Sequence, residues 1–174
     1  HMKKILVLTV MLALVVFSVS AVTVGTGSLN VFGLIGEGDL EFSVNQTLLV
    51  GDRIDLINDT EVQSSGNGVE IGDWEFDATN QSAAVDYTVT YTYAALTQGG
   101  SSPDSIAYEL LIDDGSAVTA KVSGETTTFT ATSGNYNTGR DVLVRLTAAG
   151  EAAAASAAAS SNYSSTVTVE LSTT

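Results

Sequence analysis

The segment Tyr163–Ser172 reads YSSTVTVELS, and its alternation decides the fold class. Val167, Val169 and Leu171 fall on one side; Thr166, Thr168, Glu170 and Ser172 fall on the other. A period of two marks a strand with one buried and one wetted face. It stands at the end of the chain, behind a run of small residues. It therefore has to complete a sheet that the earlier chain has already built.

Working back from it, the same period recurs. Val142, Val144 and Leu146 alternate with Leu143, Arg145 and Thr147. Ile106, Tyr108, Leu110 and Ile112 form another strand, stopped by Asp113-Asp114-Gly115-Ser116. The Asp-Gly pair there predicts a tight turn, with Val118 to Val122 returning as the hairpin partner. Thr126 to Thr132 is threonine-rich around Phe129. The strongest alternation is Tyr87, Val89, Tyr91 and Tyr93 against Asp86, Thr88, Thr90 and Thr92, which predicts a strand central in its sheet. Trp74 and Phe76 oppose Asp73, Glu75 and Asp77; Leu40, Phe42 and Val44 oppose Glu41, Ser43 and Asn45. Leu29, Val31, Gly33 and Ile35 predict a first strand. Asn58 to Gly68, Gln98 to Asp104 and Ser133 to Gly139 read as loops. Ala148 to Ser161 departs from the pattern: its alanines suit a short helix, its serines and missing apolar stripe a loose crossover. Strand signals every eight to twelve residues or so predict an all-β sandwich or barrel of roughly eight to ten strands.

The beginning of the chain has a different character. His1 reads as a tag remnant ahead of Met2. Lys3 and Lys4, the apolar run Ile5 to Phe17, and Val19-Ser20-Ala21 make the three parts of a Sec signal peptide. The expectation is a signal helix over residues 1–21, a flexible segment over 22–28, and one domain over 29–174. A retained membrane anchor is the alternative; otherwise contact with a membrane is expected only through the signal segment. All twenty acids follow Ala21 and two of the six bases precede it, so the mature chain carries four bases and a net charge of −16. Such a chain repels nucleic acid and anionic membranes.

Chemistry is sparse in this composition. With no cysteine there is no thiol nucleophile, thiolate metal site or disulfide, and the one histidine is His1. The usual general base and the usual zinc ligand are missing from the domain. No G-x-S-x-G elbow and no phosphate-binding glycine loop occurs. The expectation is therefore a protein that is not an enzyme and needs no cofactor. Asp73, Glu75 and Asp77 share a strand face; they are the metal candidates, for calcium, against the plainer reading of a solvated face that discourages edge pairing. Trp74, Tyr87, Tyr91 and Tyr93 read as core, whereas Tyr136 sits in a Gly/Asn-rich stretch and is the candidate contact for a sugar.

The sequence Asn162-Tyr163-Ser164-Ser165-Thr166-Val167-Thr168-Val169-Glu170-Leu171, behind the Ala148–Ser161 crossover, resembles the final strand of bacterial surface β-sandwich families. These are the spore-coat-protein-U-like and archaic chaperone–usher pilin subunits. The opening Leu29 to Ile35 and Leu40 to Val44 are similar to their first strands. The resemblance implies an immunoglobulin-like antiparallel sandwich, secretion to the bacterial surface, and a structural role in filaments or coats. It also implies that an N-terminal segment donates a strand to the next subunit. Val22, Val24, Leu29 and Val31 are the donor candidates, and Val167, Val169 and Leu171 belong to the strand that closes the domain. The expected partner is a second copy of the chain. The alternative is a secreted carbohydrate-binding or adhesive module, with glycans or other surface proteins as partners.

Overall fold

The computed structural model describes residues 39–48, 52–98, 105–157 and 163–174, with the backbone alone at 22–24 and 27–29. The expected signal helix, Val31, and the Gln98–Asp104 loop beyond Gln98 lie outside the described residues.

The elements run β1 (Val22–Val24), β2 (Gly27–Leu29), β3 (Asp39–Gln46), β4 (Val69–Gln81), β5 (Val85–Tyr93), β6 (Leu96–Thr97), β7 (Ser105–Ile106), β8 (Tyr108–Asp113), β9 (Val118–Lys121), β10 (Thr126–Ala131), β11 (Gly134–Leu146), helix α1 (Ala148–Ser156) and β12 (Val167–Thr173). The fold is an antiparallel β-sandwich. One sheet has five strands in the order β3-β4-β11-β8-β9, and the other has three, β10-β5-β12. Two short pairs, β1-β2 and β6-β7, complete the described strands. These short pairs carry the described count past the eight to ten expected; runs of two or three residues leave no periodic trace in a sequence.

The alternation holds where it was strongest. Along β5, Tyr87, Val89 and Tyr91 are buried while Asp86 and Thr92 are exposed, and β5 is the central strand of its sheet. Along β4, Trp74, Phe76 and Ala78 turn inward, and Glu75, Asp77 and Thr79 outward. The inward rings interlock between the sheets. Phe76 meets Tyr87 at 4.7 Å and Phe129 at 5.1 Å between ring centroids, and Trp74 stacks on Phe129 at 5.9 Å. Each such pair adds about 0.5–1.5 kcal/mol beyond the area it buries. Trp74 and Tyr91 are both fully buried, and the indole Nε1–H donates to the Tyr91 hydroxyl at 3.0 Å. That hydroxyl in turn donates to Thr127 Oγ1 at 3.3 Å. A polar group this deep requires such a partner, since dehydration without one costs free energy.

The β8–β9 hairpin forms as its turn residues require. Gly115 has φ of 78°, a conformation that costs glycine little. Asp114 Oδ1 accepts the amides of Ser116 and Ala117 at 2.9 and 2.8 Å. Those two bonds, Ala117 first, hold the Asp114 carboxyl below the usual carboxylate range.

One loop reading is corrected. Residues 134–139 are not a loop; they are the first half of β11, paired with β4 from Gly134↔Gln81 through Gly139↔Glu75 with a bulge before Tyr136. Their polarity follows from their place, because Asn137 and Gly139 lie on the wetted face of the five-stranded sheet. The first part of the crossover is helical, Ala148–Ser156. Thr147 caps α1 by accepting the Gly150 amide at 3.0 Å, and α1 carries the chain from β11 in one sheet to β12 in the other. Gly150 is buried against β7's successor, Ala107, so closely that a Cβ would lie on the Ala107 carbonyl oxygen.

Residues 52–68 form turns rather than strands, yet they pack onto the sandwich. Val62 is buried, and its carbonyl accepts the Leu146 amide at 2.7 Å. Arg145 pins the same loop by donating to the Gly66 carbonyl at 3.2 Å while its Nε and Nη2 hold Glu109 Oε1 at 2.9 and 2.6 Å.

Candidate assembly edges

The closing strand does what its position demands. β12 pairs antiparallel with β5, setting Val167, Val169 and Leu171 opposite Tyr93, Tyr91 and Val89. Val169 is buried, and Val167 and Leu171 are half-buried against the core. β2 packs next to β12 without joining its sheet. β2 pairs with β1 through Val22↔Leu29 and Val24↔Gly27. Three donor candidates, Val22, Val24 and Leu29, thus belong to a hairpin set beside the strand that carries Val167, Val169 and Leu171. The fourth, Val31, is outside the described residues.

Asp73, Glu75 and Asp77 do share the outer face of β4. Their neighbours emerge only from strand register. Asp73 lies opposite Asp141, which lies opposite Asp113, so one row across β4, β11 and β8 is three carboxylates long. Asn45 on β3 closes the row by donating from Nδ2 to Asp73 at 2.8 Å. Desolvation, then the charges of Glu70, Asp113 and Asp73, push the Asp141 carboxyl up. Asp113 and Asp141 gave no sign of this in the sequence, because twenty-eight positions separate them. Among the described residues no group of three or more acidic, histidine or cysteine side chains is arranged to hold a metal ion.

Tyr136 lies in β11 and is half-buried. Its ring stacks on Phe129 at 6.0 Å with 6° between the planes, and tilts against Phe76 at 6.3 Å. It is the rim of the aromatic core. Arg140, which the sequence did not single out, also turns inward: its guanidinium lies 5.8 Å from the Trp74 ring and donates to Thr138 Oγ1 at 2.8 Å and the Gly139 carbonyl at 2.6 Å. A cation over an indole face is a favourable placement.

The outer face of the three-stranded sheet contrasts with the acidic one. Thr126 lies beside Thr90, Thr128 beside Thr88, and Thr92 beside Thr168, a surface mostly of hydroxyls. Thr130 Oγ1 donates to Asp86 at 2.6 Å, and Thr88 and Thr174 bond through their hydroxyls at 3.0 Å.

The sheet edges differ as well. β3 carries Asp39 and Glu41, charges of the kind that discourage strand addition. β10 carries threonines. β9 carries one threonine and one lysine, but its apolar residues are bare: Val118 is 53% exposed, and Val122, just past its end, is 60% exposed.

No family model, no curated protein and no solved structure matches this chain. What the geometry defines is a cysteine-free antiparallel sandwich with one acidic face, one hydroxyl face and edges of unequal chemistry.

Proposed function

We propose that this protein is a secreted structural subunit of the bacterial cell surface that assembles with copies of itself by pairing or donating β-strands. The observation that carries the reading is the position of β2 beside β12. An N-terminal strand already lies next to the strand that closes the domain, without being hydrogen-bonded to it. The edge of β12, filled by the N-terminal segment of a neighbouring copy, gives a chain of subunits joined by backbone hydrogen bonds. In the proposed filament the carboxylate face stays in water and keeps the assembly dispersed.

The experiment uses the mature chain, beginning at Val22, in light scattering and negative-stain imaging. Ordered polymers are expected, and deleting residues 22–31 is expected to abolish them while the far-ultraviolet spectrum of the sandwich persists. A monomer at every concentration overturns the reading.

A further inference from the structure

An edge strand leaves every second residue with an amide and a carbonyl directed away from its sheet. On β9 those residues are identifiable. The Asp114 amide donates to the Ala117 carbonyl at 3.3 Å, closing the hairpin. With the β8–β9 register, this turns the backbone groups of Thr119 and Lys121 toward β8 and those of Val118 and Ala120 outward. Val122 would be next in line, but it is already satisfied. Its amide donates to Glu125 Oε2 at 2.8 Å, and its carbonyl accepts the Glu125 amide at 3.0 Å. Among the described residues, what remains is a short, defined set: two donors and two acceptors, on Val118 and Ala120.

We infer that β9 is a seam between two copies of this chain, paired antiparallel about a two-fold axis at Thr119. This inference rests on the self-assembly reading and specifies one of its contacts. In that register Val118 faces Ala120 of the second copy and Ala120 faces its Val118. Four backbone hydrogen bonds form, and the two five-stranded sheets become one.

Charge selects the occupant. The chain carries a formal charge of −14, so copies repel wherever acidic faces meet. β9 contains no acid; its one charged group, Lys121, donates to the Thr126 carbonyl at 2.7 Å. The nearest outward carboxylate on the neighbouring strand is Asp113, opposite Val118. Across the seam the two Asp113 positions are three strand spacings apart, about 14 Å, and two residues out of step along the strands. That exceeds the screening length of about 8 Å at physiological salt. A basic partner would be drawn instead to the carboxylate rows of β4 and β11. The exposed pattern of Val118 and Ala120 complements itself under two-fold rotation, as a contact between identical copies requires.

The absence of native cysteine supplies a clean test. Thr119→Cys puts two thiols opposite each other in a non-hydrogen-bonded pair, with about 4.5 Å between Cα atoms, within disulfide reach. Thr128→Cys, on the exposed edge of β10, is the control. Mild oxidation of the mature chain is expected to give a covalent dimer of the first variant and to leave the second monomeric. Ala120→Pro removes an amide that points away from β8, and is expected to weaken dimerisation in sedimentation about tenfold or more. Val118→Lys, which leaves the backbone intact, is expected to do the same and guards against misfolding of the proline variant. Equal cross-linking of the two cysteine variants, or dimerisation unchanged in both edge variants, overturns the seam. Polymers that survive both edge variants but vanish when residues 22–31 are deleted overturn the seam and spare the general reading. A monomer under all conditions overturns both.

Discussion

Tyr91→Phe removes one oxygen atom from the middle of the core, and its cost can be worked out from the surroundings. The lost hydroxyl accepts the Trp74 indole N–H at 3.0 Å and donates to Thr127 at 3.3 Å. Trp74 is 0% exposed, so its N–H finds no water in exchange. An orphaned buried donor costs about 1–3 kcal/mol. Thr127 is only half-buried and can turn to solvent, so its loss adds about half a kcal/mol. The expected destabilisation is about 2–3 kcal/mol, a fall in Tm of about 5–10 °C for a domain of this size. Urea unfolding followed by far-ultraviolet circular dichroism measures it. Trp74→Phe and the double variant complete a cycle. The double variant is expected to be about 1–2 kcal/mol less destabilised than the sum of the singles, because it leaves no orphaned indole N–H. A Tyr91→Phe loss below about 0.5 kcal/mol would refute the picture of a dry core in which this hydroxyl is the indole's partner.

Three further expectations follow from other parts of the fold. Gly150→Ala would ordinarily strengthen a helix by about 1 kcal/mol, but here the new methyl meets the Ala107 carbonyl, so thermal melts should show a net loss of about 2 kcal/mol. Asp141→Asn should stabilise the domain at pH 7 by a few tenths of a kcal/mol. Its native carboxyl is pushed up, so the penalty exists only when it is ionised; the gain should shrink as pH falls through the carboxylate range and also in 1 M salt, and a gain constant under both conditions would refute it. Burial pushes the phenols of Tyr87, Tyr91, Tyr93 and Tyr108 up. Their stabilising contribution is complete below the unfolded value of about 10 and is lost as pH rises through the folded values. Tyrosinate absorbance at 295 nm should therefore rise together with loss of the sheet signal above about pH 10, and ionisation of these buried tyrosines in a still-native sandwich would refute the assignment.

Most of the sandwich could be read from side-chain alternation, because a strand with one wet face writes its period directly into the chain. β5 and β12 are such strands. The first half of β11 is not, since its wetted positions are Asn137 and Gly139 and its inward positions include Thr138 and Arg140. Register, not local pattern, makes it a strand. The same is true of Val62, a single apolar residue in a polar loop whose burial depends on where β11 ends. Leu111 shows the reverse: it falls on the outward phase of β8 but is buried, because Gly68 and its loop approach that face. The acidic face was visible at Asp73, Glu75 and Asp77, while its extension through Asp141 to Asp113 depended on pairings that no spacing encodes. The edges were least accessible to sequence reading. Whether Val118 is an interior or an outermost position is a fact about sheet order alone.

The two outer faces, one of carboxylates and one of threonine hydroxyls, give the domain a front and a back. Negative charge displaced to one side of a slab makes an electric dipole across its thickness. Two molecules approaching in dilute salt therefore experience a torque before they touch, turning the carboxylate faces away from each other. Encounters are biased toward hydroxyl faces and bare edges, and added salt loosens that bias as the field is screened. Orientation is thus imposed on these molecules at a distance, by side chains that need not take part in any eventual contact.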